Sequence, residues 1–415
     1  MRSLLELIRT NRNFRFLWCG QIVSQLGDWF NTVAIFALLF QLTGSATAVA
    51  LLMVLQVLPV AIVGPAAGVV VDRFDRRKIM IAADIVRGMA VLGLLLVRTP
   101  ETVWLAYVVT AVMVSASGFF EPARSATVPT IVERDRLVAA NAISTGTWSA
   151  MLAIGASLGG LVAATLGRDA AFLINAASYF LSAVFLWQLR VPARPDAPRA
   201  SAGLKGVAEG LAYMRAHRDV ARIALVKGGW ALVGGALLLL TVFGDRVFRI
   251  GDSSDAGIGV LYGARGIGAM AGSLIVSVLA ARQRNLVRMI GPAYLIAGTC
   301  YAAIAISPTI WMAACAVIAA HVFGSILWVS SNVLLQMNVP DEFRGRVFAA
   351  ELFALAVVQA TVSYLTATAL DVFHFSPHAL VAIVGFSLWI PGLYWLLART
   401  APLPNAAQSG GLRQD

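Results

Sequence analysis

Twelve apolar stretches, each long enough to cross about 30 Å of hydrocarbon at roughly 1.5 Å per residue, bound what this 415-residue chain can fold into. They run over 14–41, 46–71, 79–97, 102–120, 142–166, 170–189, 220–243, 256–281, 287–306, 309–335, 348–371 and 377–398. Backbone in hydrocarbon must satisfy its own hydrogen bonds, so such stretches are helices. The expected fold class is an all-α membrane protein with twelve transmembrane helices. Composition agrees, at 59% hydrophobic and 13% charged, where a soluble chain carries roughly 25% charged residues.

The charges sort by loop. Alternate loops on one side hold Arg2, Arg9, Arg12 and Arg15, then Arg73, Arg76, Arg77 and Lys78, and nearly every later basic residue outside the spans. The other side holds only Arg98, Arg168, Arg246 and Arg249. That asymmetry predicts a multi-pass membrane protein with both termini cytoplasmic, and the excess of arginine over the lysines Lys78, Lys205 and Lys227 fits a GC-rich bacterial genome and hence a bacterial plasma (inner) membrane. The net charge of +11 is scattered over short loops rather than gathered on one face, which argues against nucleic acid as a partner. Cys19, Cys300 and Cys315 lie in apolar spans without metal-ligand spacing and read as small hydrophobes. The first span is too long for a cleaved signal and reads as a retained helix.

The longest interior break, from Arg190 to Asp219, opens on a proline-rich segment. It continues through Leu204, Val207, Leu211 and Met214 at helical spacing, as expected of an amphipathic helix on the membrane surface or of a plain linker. The expected organisation is a six-helix lobe over 1–190, a cytoplasmic linker over 191–219, a second six-helix lobe over 220–400 and a tail over 401–415. Two such lobes suit a transporter.

Between the second and third spans, six charged groups sit in the seven residues Asp72 to Lys78. With Gly68 they form the pattern Gly68-x-x-x-Asp72-Arg73-x-x-Arg76-Arg77, which resembles the loop motif of the major facilitator superfamily. Further segments resemble its drug:proton antiporter branch, which contains bacterial siderophore (enterobactin) exporters and macrolide-efflux proteins. These are Gln21-x-x-Ser24-x-Leu26-Gly27-Asp28, Pro122-Ala123 opening a loop after the fourth helix, Ala140-Asn141, Gly155-Ala-Ser-Leu-Gly159-Gly160 and Gly345-Arg346-Val347. The resemblance implies the two-lobed major facilitator fold, a small-molecule substrate, protons as co-substrate and a monomer in the bilayer. Two positions depart from the branch: Ala156 stands where its glycine motif carries proline, and the fourth helix from Trp104 to Phe120 lacks an arginine.

The resemblance also implies that the loop is a conformational latch. Asp72 would meet the N-terminus of the eleventh helix, where free N–H groups and the helix dipole favour an anion, and Arg76 would pair with Glu121. Positive loop charges set topology, but acids contribute little to that effect, so Asp72 and Asp75 need the second role. Asp84 and Arg87, spaced to pair on one helix, are expected to extend the latch together with Gly68, Arg73 and Arg77.

Asp28 lies near the middle of the first span, where a carboxylate is expensive unless it faces a cavity or partner. It is the leading candidate for proton coupling or substrate binding, against the plainer reading of a neutral, hydrogen-bonded acid. Arg265 is too central to reach the interface and is expected in the cavity. Lys227 is a further candidate, although snorkelling to the interface is the stronger reading for it. Glu351 is expected to be interfacial.

The expected function is secondary active export of small amphipathic molecules (drug, macrolide or siderophore-like) by alternating access, driven by protons. A lipid or lysolipid flippase on the same fold is the alternative. An enzyme wants a cluster of His, Asp or Glu at the membrane face. His217, His321, His374 and His378 offer no metal-spaced set, so no metal or cofactor is expected. No phosphate-cradling Gly-Lys-Ser/Thr loop is present for a primary pump, and a sensor lacks an output domain.

Overall fold

In the computed structural model the described residues are 2–133, 136–191, 204–250, 254–280 and 286–397. The proline-rich opening of the linker and the 401–415 tail therefore lie outside them. The helices are α1 (Arg2–Thr10), α2 (Arg12–Thr43), α3 (Ala46–Leu55), α4 (Leu58–Arg73), α5 (Arg76–Leu92), α6 (Val103–Ile131), α7 (Leu137–Leu166) and α8 (Arg168–Trp187). They continue as α9 (Leu204–Ala216), α10 (Arg218–Trp230), α11 (Val233–Val242), α12 (Ser254–Ala280), α13 (Leu286–Ala303), α14 (Ile310–Asn338), α15 (Asp341–Asp371), α16 (Pro377–Ser387) and α17 (Trp389–Leu397). Among the described residues twelve helical segments are long and apolar enough to cross a membrane, in agreement with the twelve apolar stretches.

Local chemistry sets the ends. Asn11 accepts the Phe14 N–H at 2.9 Å, and Ser376 caps α16 through the Ala379 N–H at 3.1 Å. Gly44, at φ +63°, closes α2 in the left-handed conformation that glycine adopts without strain. One boundary differs from expectation. Pro122 was read as the start of a loop, yet α6 continues through Pro122 and Pro129 to Ile131. Membrane helices tolerate proline because neighbouring groups satisfy the freed carbonyls.

The residues fall into two compact units. The first is built on α1–α8 together with 240–267 and 367–373. Within it α2 packs against α7 and α8, and α5 against α6 and α8. The second holds 204–239, 268–366 and the helices from 374 onward. There α13 packs against α14, α16 and α17, and α10 packs against α14. Large apolar side chains lie on the outside, including Ile62, Trp187, Leu274 and Ile306, as lipid-facing surfaces require.

The linker helix α9 is docked on protein. Glu209 pairs with Arg346 at 3.1 Å, and Tyr213 stacks on Phe343 with ring centroids 4.6 Å apart.

Candidate functional site

A polar cluster of the first unit lies where α2, α5, α6 and α8 meet. The Tyr179 hydroxyl of α8 donates to Asp28 Oδ1 of α2. The Arg87 guanidinium sits 4.5 Å from the Tyr179 ring centroid and 4.4 Å from that of Phe120, sandwiched as a cation between aromatic faces. Arg87 also donates to Asp84 Oδ1, one turn back on α5, and lies 3.4 Å from Ser117 Oγ. Asp84 and Arg87 are buried, Tyr179 is 1% exposed, and Asp28 is half-buried. Tyr179 thus bonds one carboxylate through its hydroxyl and stacks its ring on the guanidinium that holds the other.

Asp84 and Arg87 pair on one helix as their spacing predicts. Asp84 stands eight residues into α5, about 12 Å from its start, so the pair belongs to the helix interior.

The loop is held differently from expectation. The Asp75 carboxylate caps α5, accepting from the Arg77 N–H at 2.9 Å and the Lys78 N–H at 3.3 Å. Arg77 donates to the carbonyls of Leu186 and Trp187 at the end of α8, the first of which also accepts the Leu189 N–H at 3.0 Å. Arg76 donates to the Ala126 carbonyl at 2.7 Å rather than pairing with Glu121, which holds Arg124 at 2.8 Å. The extra turns of α6 explain the exchange: they bring Ala126 to Arg76 and put Arg124 one turn from Glu121 on the same helix. Gly68 lies in α4, and Arg73 is exposed in its last turn. The Asp72 side chain and those of Asp341 and Glu342, at the start of α15, lie outside the described set.

A second group of contacts gathers at the opposite ends of these helices. Asp371, the last residue of α15, accepts from Ser45 Oγ at 2.7 Å, Ala46 N–H at 3.1 Å and Thr47 N–H at 2.7 Å. Its carboxylate fills the positive end of α3 and satisfies two of that helix's free donors. Arg168, opening α8, forms a two-pronged pair with Asp255 of α12, both N···O distances being 3.0 Å. Arg98 and Asp169 make another such pair nearby at 2.9 and 2.7 Å, exposed to solvent. The hydrogen bonding from Asp169 pushes the Arg98 guanidinium above its usual range. Between Arg168 and the helix centre, α7 crosses α12 with Gly160 directly on Gly259. A Cβ on Gly160 would lie 2.8 Å from the Gly259 Cα.

Sequence reading missed Tyr179, Asp255 and Asp371. Asp371 carried one weak signal, a carboxylate ending an apolar span, but its partner is a helix start far away in the chain.

Arg265 lies on α12 with its guanidinium 5.8 Å from the Trp29 ring centroid and 5.9 Å from that of Tyr262. Trp29 in turn meets Trp148 edge to face at 6.2 Å. This cation among aromatic rings adjoins the Asp28 position on α2.

Lys227 and Glu351 meet inside the second unit. Each is 2% exposed, so the lysine is held by protein rather than extended outward. Lys227 Nζ donates to Glu351 Oε2 and to Asn332 Oδ1, each at 2.6 Å. A buried carboxylate compensates the ammonium, so it has no need to reach water. No group of three or more His, Cys, Asp or Glu suited to a metal occurs among the described residues.

A family model described as transmembrane secretion effector, of the major facilitator type, matches residues 8–382. The chain is 27% identical to an uncharacterized MFS-type transporter, YfiS, of Bacillus subtilis, over 83% of each chain. It is 29% identical to the enterobactin exporter EntS of Salmonella paratyphi A, covering 97% of this chain and 98% of that one. It is 28% identical to macrolide efflux protein A of Streptococcus pyogenes, over 51% of this chain and 54% of that protein. Among solved structures, a POT family transporter in complex with 5-aminolevulinic acid superposes with a TM-score of 0.76 at 11% identity. The match covers 93% of this chain and 96% of that one, and shows a shared fold.

Proposed function

Since the chain belongs to the transmembrane secretion effector family of major facilitator transporters, a family of transporters and not of enzymes, we propose that it is a proton-driven exporter. Its cargo on this reading is small and amphipathic, of drug, macrolide or siderophore-like character, and it works by alternating access from a bacterial inner membrane with both termini in the cytoplasm. The observation that carries the proposal is the Asp28–Tyr179–Arg87–Asp84 network. Asp84 pairs with the guanidinium, Asp28 is reached through the Tyr179 hydroxyl, and the charge of the group balances when one of the two carboxyls holds a proton. Asp28 is the half-buried member and therefore the one that exchanges that proton. Arg265 and its aromatic neighbours supply a surface for substrate rings. The charged loop from Gly68 to Lys78, with Asp72 as its anion, latches the two lobes on the cytoplasmic face. The contacts of Asp371 and Arg168 close the other face.

The deciding experiment measures erythromycin efflux from proteoliposomes under an imposed pH gradient. Efflux should collapse with a protonophore and in Asp28→Asn. Gradient-independent efflux removes proton coupling, and full coupling in Asp28→Asn removes that residue from the role.

A lipid or lysolipid flippase is the second reading, favoured by an apolar cavity of about 650 Å³ between α4, α5 and α6. Val70, Ile79, Val86, Val112 and Phe119 line it, and it is wide enough for an acyl chain. Translocation of a fluorescent lysolipid at a rate above that of erythromycin would establish that reading.

A further inference from the structure

The Lys227–Glu351 pair is a second ionisable site, and its hydrogen bonds are arranged for two protonation states. Three helices of the second unit build it: α10 supplies Lys227, α14 supplies Trp328, Ser331 and Asn332, and α15 supplies Phe348 and Glu351. Side-chain exposure is 2% at Lys227 and 1% at Glu351.

Ser331 is the informative residue. Its Oγ lies 2.8 Å from Glu351 Oε1 and 3.2 Å from the Ile223 carbonyl, yet a hydroxyl has only one proton to give. With Glu351 ionised, Ser331 donates to Oε1, and Lys227 donates to Oε2. With a proton on Oε1, the new O–H donates to Ser331 Oγ, and the serine proton turns to Ile223. No buried donor or acceptor is orphaned in either state.

The lysine is provided for in the same way. When Glu351 is neutral, Lys227 keeps Asn332 Oδ1 at 2.6 Å and the faces of Trp328 at 4.9 Å and Phe348 at 5.2 Å. Asn332 and two ring faces are more than an ion pair requires, but they are what an ammonium needs once its counter-ion is discharged. Three other charged or titratable groups on these helices are engaged elsewhere. Arg346 of α15 pairs with Glu209 of α9, the Arg222 guanidinium of α10 lies 5.0 Å from the Trp395 ring, and His321 of α14 bonds the Tyr301 hydroxyl.

We propose that Glu351 is a proton-binding site in its own right, distinct from Asp28, with Ser331 as hydroxyl relay and Lys227 as the group whose hold changes. The step moves one proton from hydronium to Oε1, breaking an O–H bond of hydronium to leave water and forming one on the carboxyl, and takes the site from neutral to singly positive. That surplus charge, held only by Asn332 and rings, loosens α10 from α15. The inference deepens the proton-driven reading, since a gradient-coupled carrier with two proton sites can translocate two protons per cycle.

Infrared difference spectra of purified protein in lipid, acid minus neutral, test it without any substrate. Wild type should show a protonated-carboxyl band that is lost in Glu351→Gln and retained in Asp28→Asn. Because Glu351→Gln strands the lysine charge, Lys227→Met/Glu351→Gln is recorded as well. It removes both charges and should fold, and it too should lack the band. A carboxyl signal in Glu351→Gln or in the double variant equal to that of wild type, with nothing lost beyond what Asp28→Asn removes, overturns the proposal. If the band behaves as expected while erythromycin efflux ignores the pH gradient, the proton-driven reading fails and the Glu351 site stands. If efflux follows the gradient while the band survives, only the Glu351 site fails.

Discussion

Asp371 and Thr47 are 324 residues apart in the chain, and the carboxylate of one accepts the backbone N–H of the other at 2.7 Å. Together with the bonds from Ser45 and Ala46, this sets an anion on the first turn of α3 at the end of the bundle away from the charged loop. The arrangement repeats, at the other end, what the family resemblance implies for Asp72 and the start of α15.

Asp371→Asn keeps the shape, removes the charge and turns one of the two accepting oxygens into an NH2 donor. Hydrogen bonds to charged groups contribute about 1.5–3 kcal/mol each and neutral ones about 1, so the clasp should weaken by roughly 2 kcal/mol. In a chain with Cys19, Cys300 and Cys315 replaced, an Ala46→Cys reporter is buried and should resist maleimide. Adding Asp371→Asn should speed its labelling about thirtyfold in detergent solution, the factor that 2 kcal/mol implies. An unchanged rate would mean that α3 is held without the carboxylate.

The Arg168–Asp255 pair tests the same face independently, because its side chains are only 16% and 4% exposed. Arg168→Asp or Asp255→Arg alone should raise labelling at Ala46→Cys and lower efflux. The swapped double variant should recover most of both, with a coupling of about 1–3 kcal/mol in the double-mutant cycle. Additive losses would show that the two charges do not act on each other.

The number and order of the spans were readable from hydropathy because hydrocarbon admits so few alternatives to a helix. The charges were readable as unusual, but their partners were not. Asp75 looked like part of a gate and proves to be the cap of α5, a local role that its position before Arg76 already permitted. Arg76 found a carbonyl on a helix extension that Pro122 had hidden. Lys227 read as a snorkelling lysine because Glu351 lies 124 residues on, and hydropathy carries no record of which buried charges meet. Asp28 stood out from its depth alone, whereas Tyr179 resembled every other aromatic in an apolar run.

Arg77 makes a prediction about assembly rather than transport. Its guanidinium closes the end of α8 by bonding the Leu186 and Trp187 carbonyls, with the Trp187 ring centroid 5.7 Å away. Arg77→Ala leaves the Trp187 carbonyl to lipid headgroups and water, while Leu186 keeps its bond from the Leu189 N–H, and should cost about 1 kcal/mol, the site being half exposed. Detergent melting curves should shift downward, and Arg77→Lys, a point charge without the planar fork, should recover only part of the loss. An Arg77→Ala melting temperature equal to wild type would make the loop's tie to α8 dispensable.

Gly160 gives the sharpest steric test. On the α7–α12 crossing, a Cβ there would sit 2.6 Å from the Asp255 carbonyl and 2.8 Å from the Gly259 Cα. Both are backbone atoms that no rotamer change can move aside, so even Gly160→Ala must push the helices apart by a substantial fraction of an ångström. Asp255 lies one turn from Gly259, so the separation should also pull its carboxylate from Arg168 and weaken the bidentate pair. The expected result is a graded series in which Gly160→Ala and then Gly160→Val progressively raise labelling at Ala46→Cys and abolish efflux. Surface expression should stay near wild type because α7 keeps its packing on α2. Gly146, on the same helix with open space around it, is the control: Gly146→Ala should leave labelling and efflux unchanged. Wild-type behaviour in Gly160→Val would mean that transport never needs α7 and α12 to approach this closely.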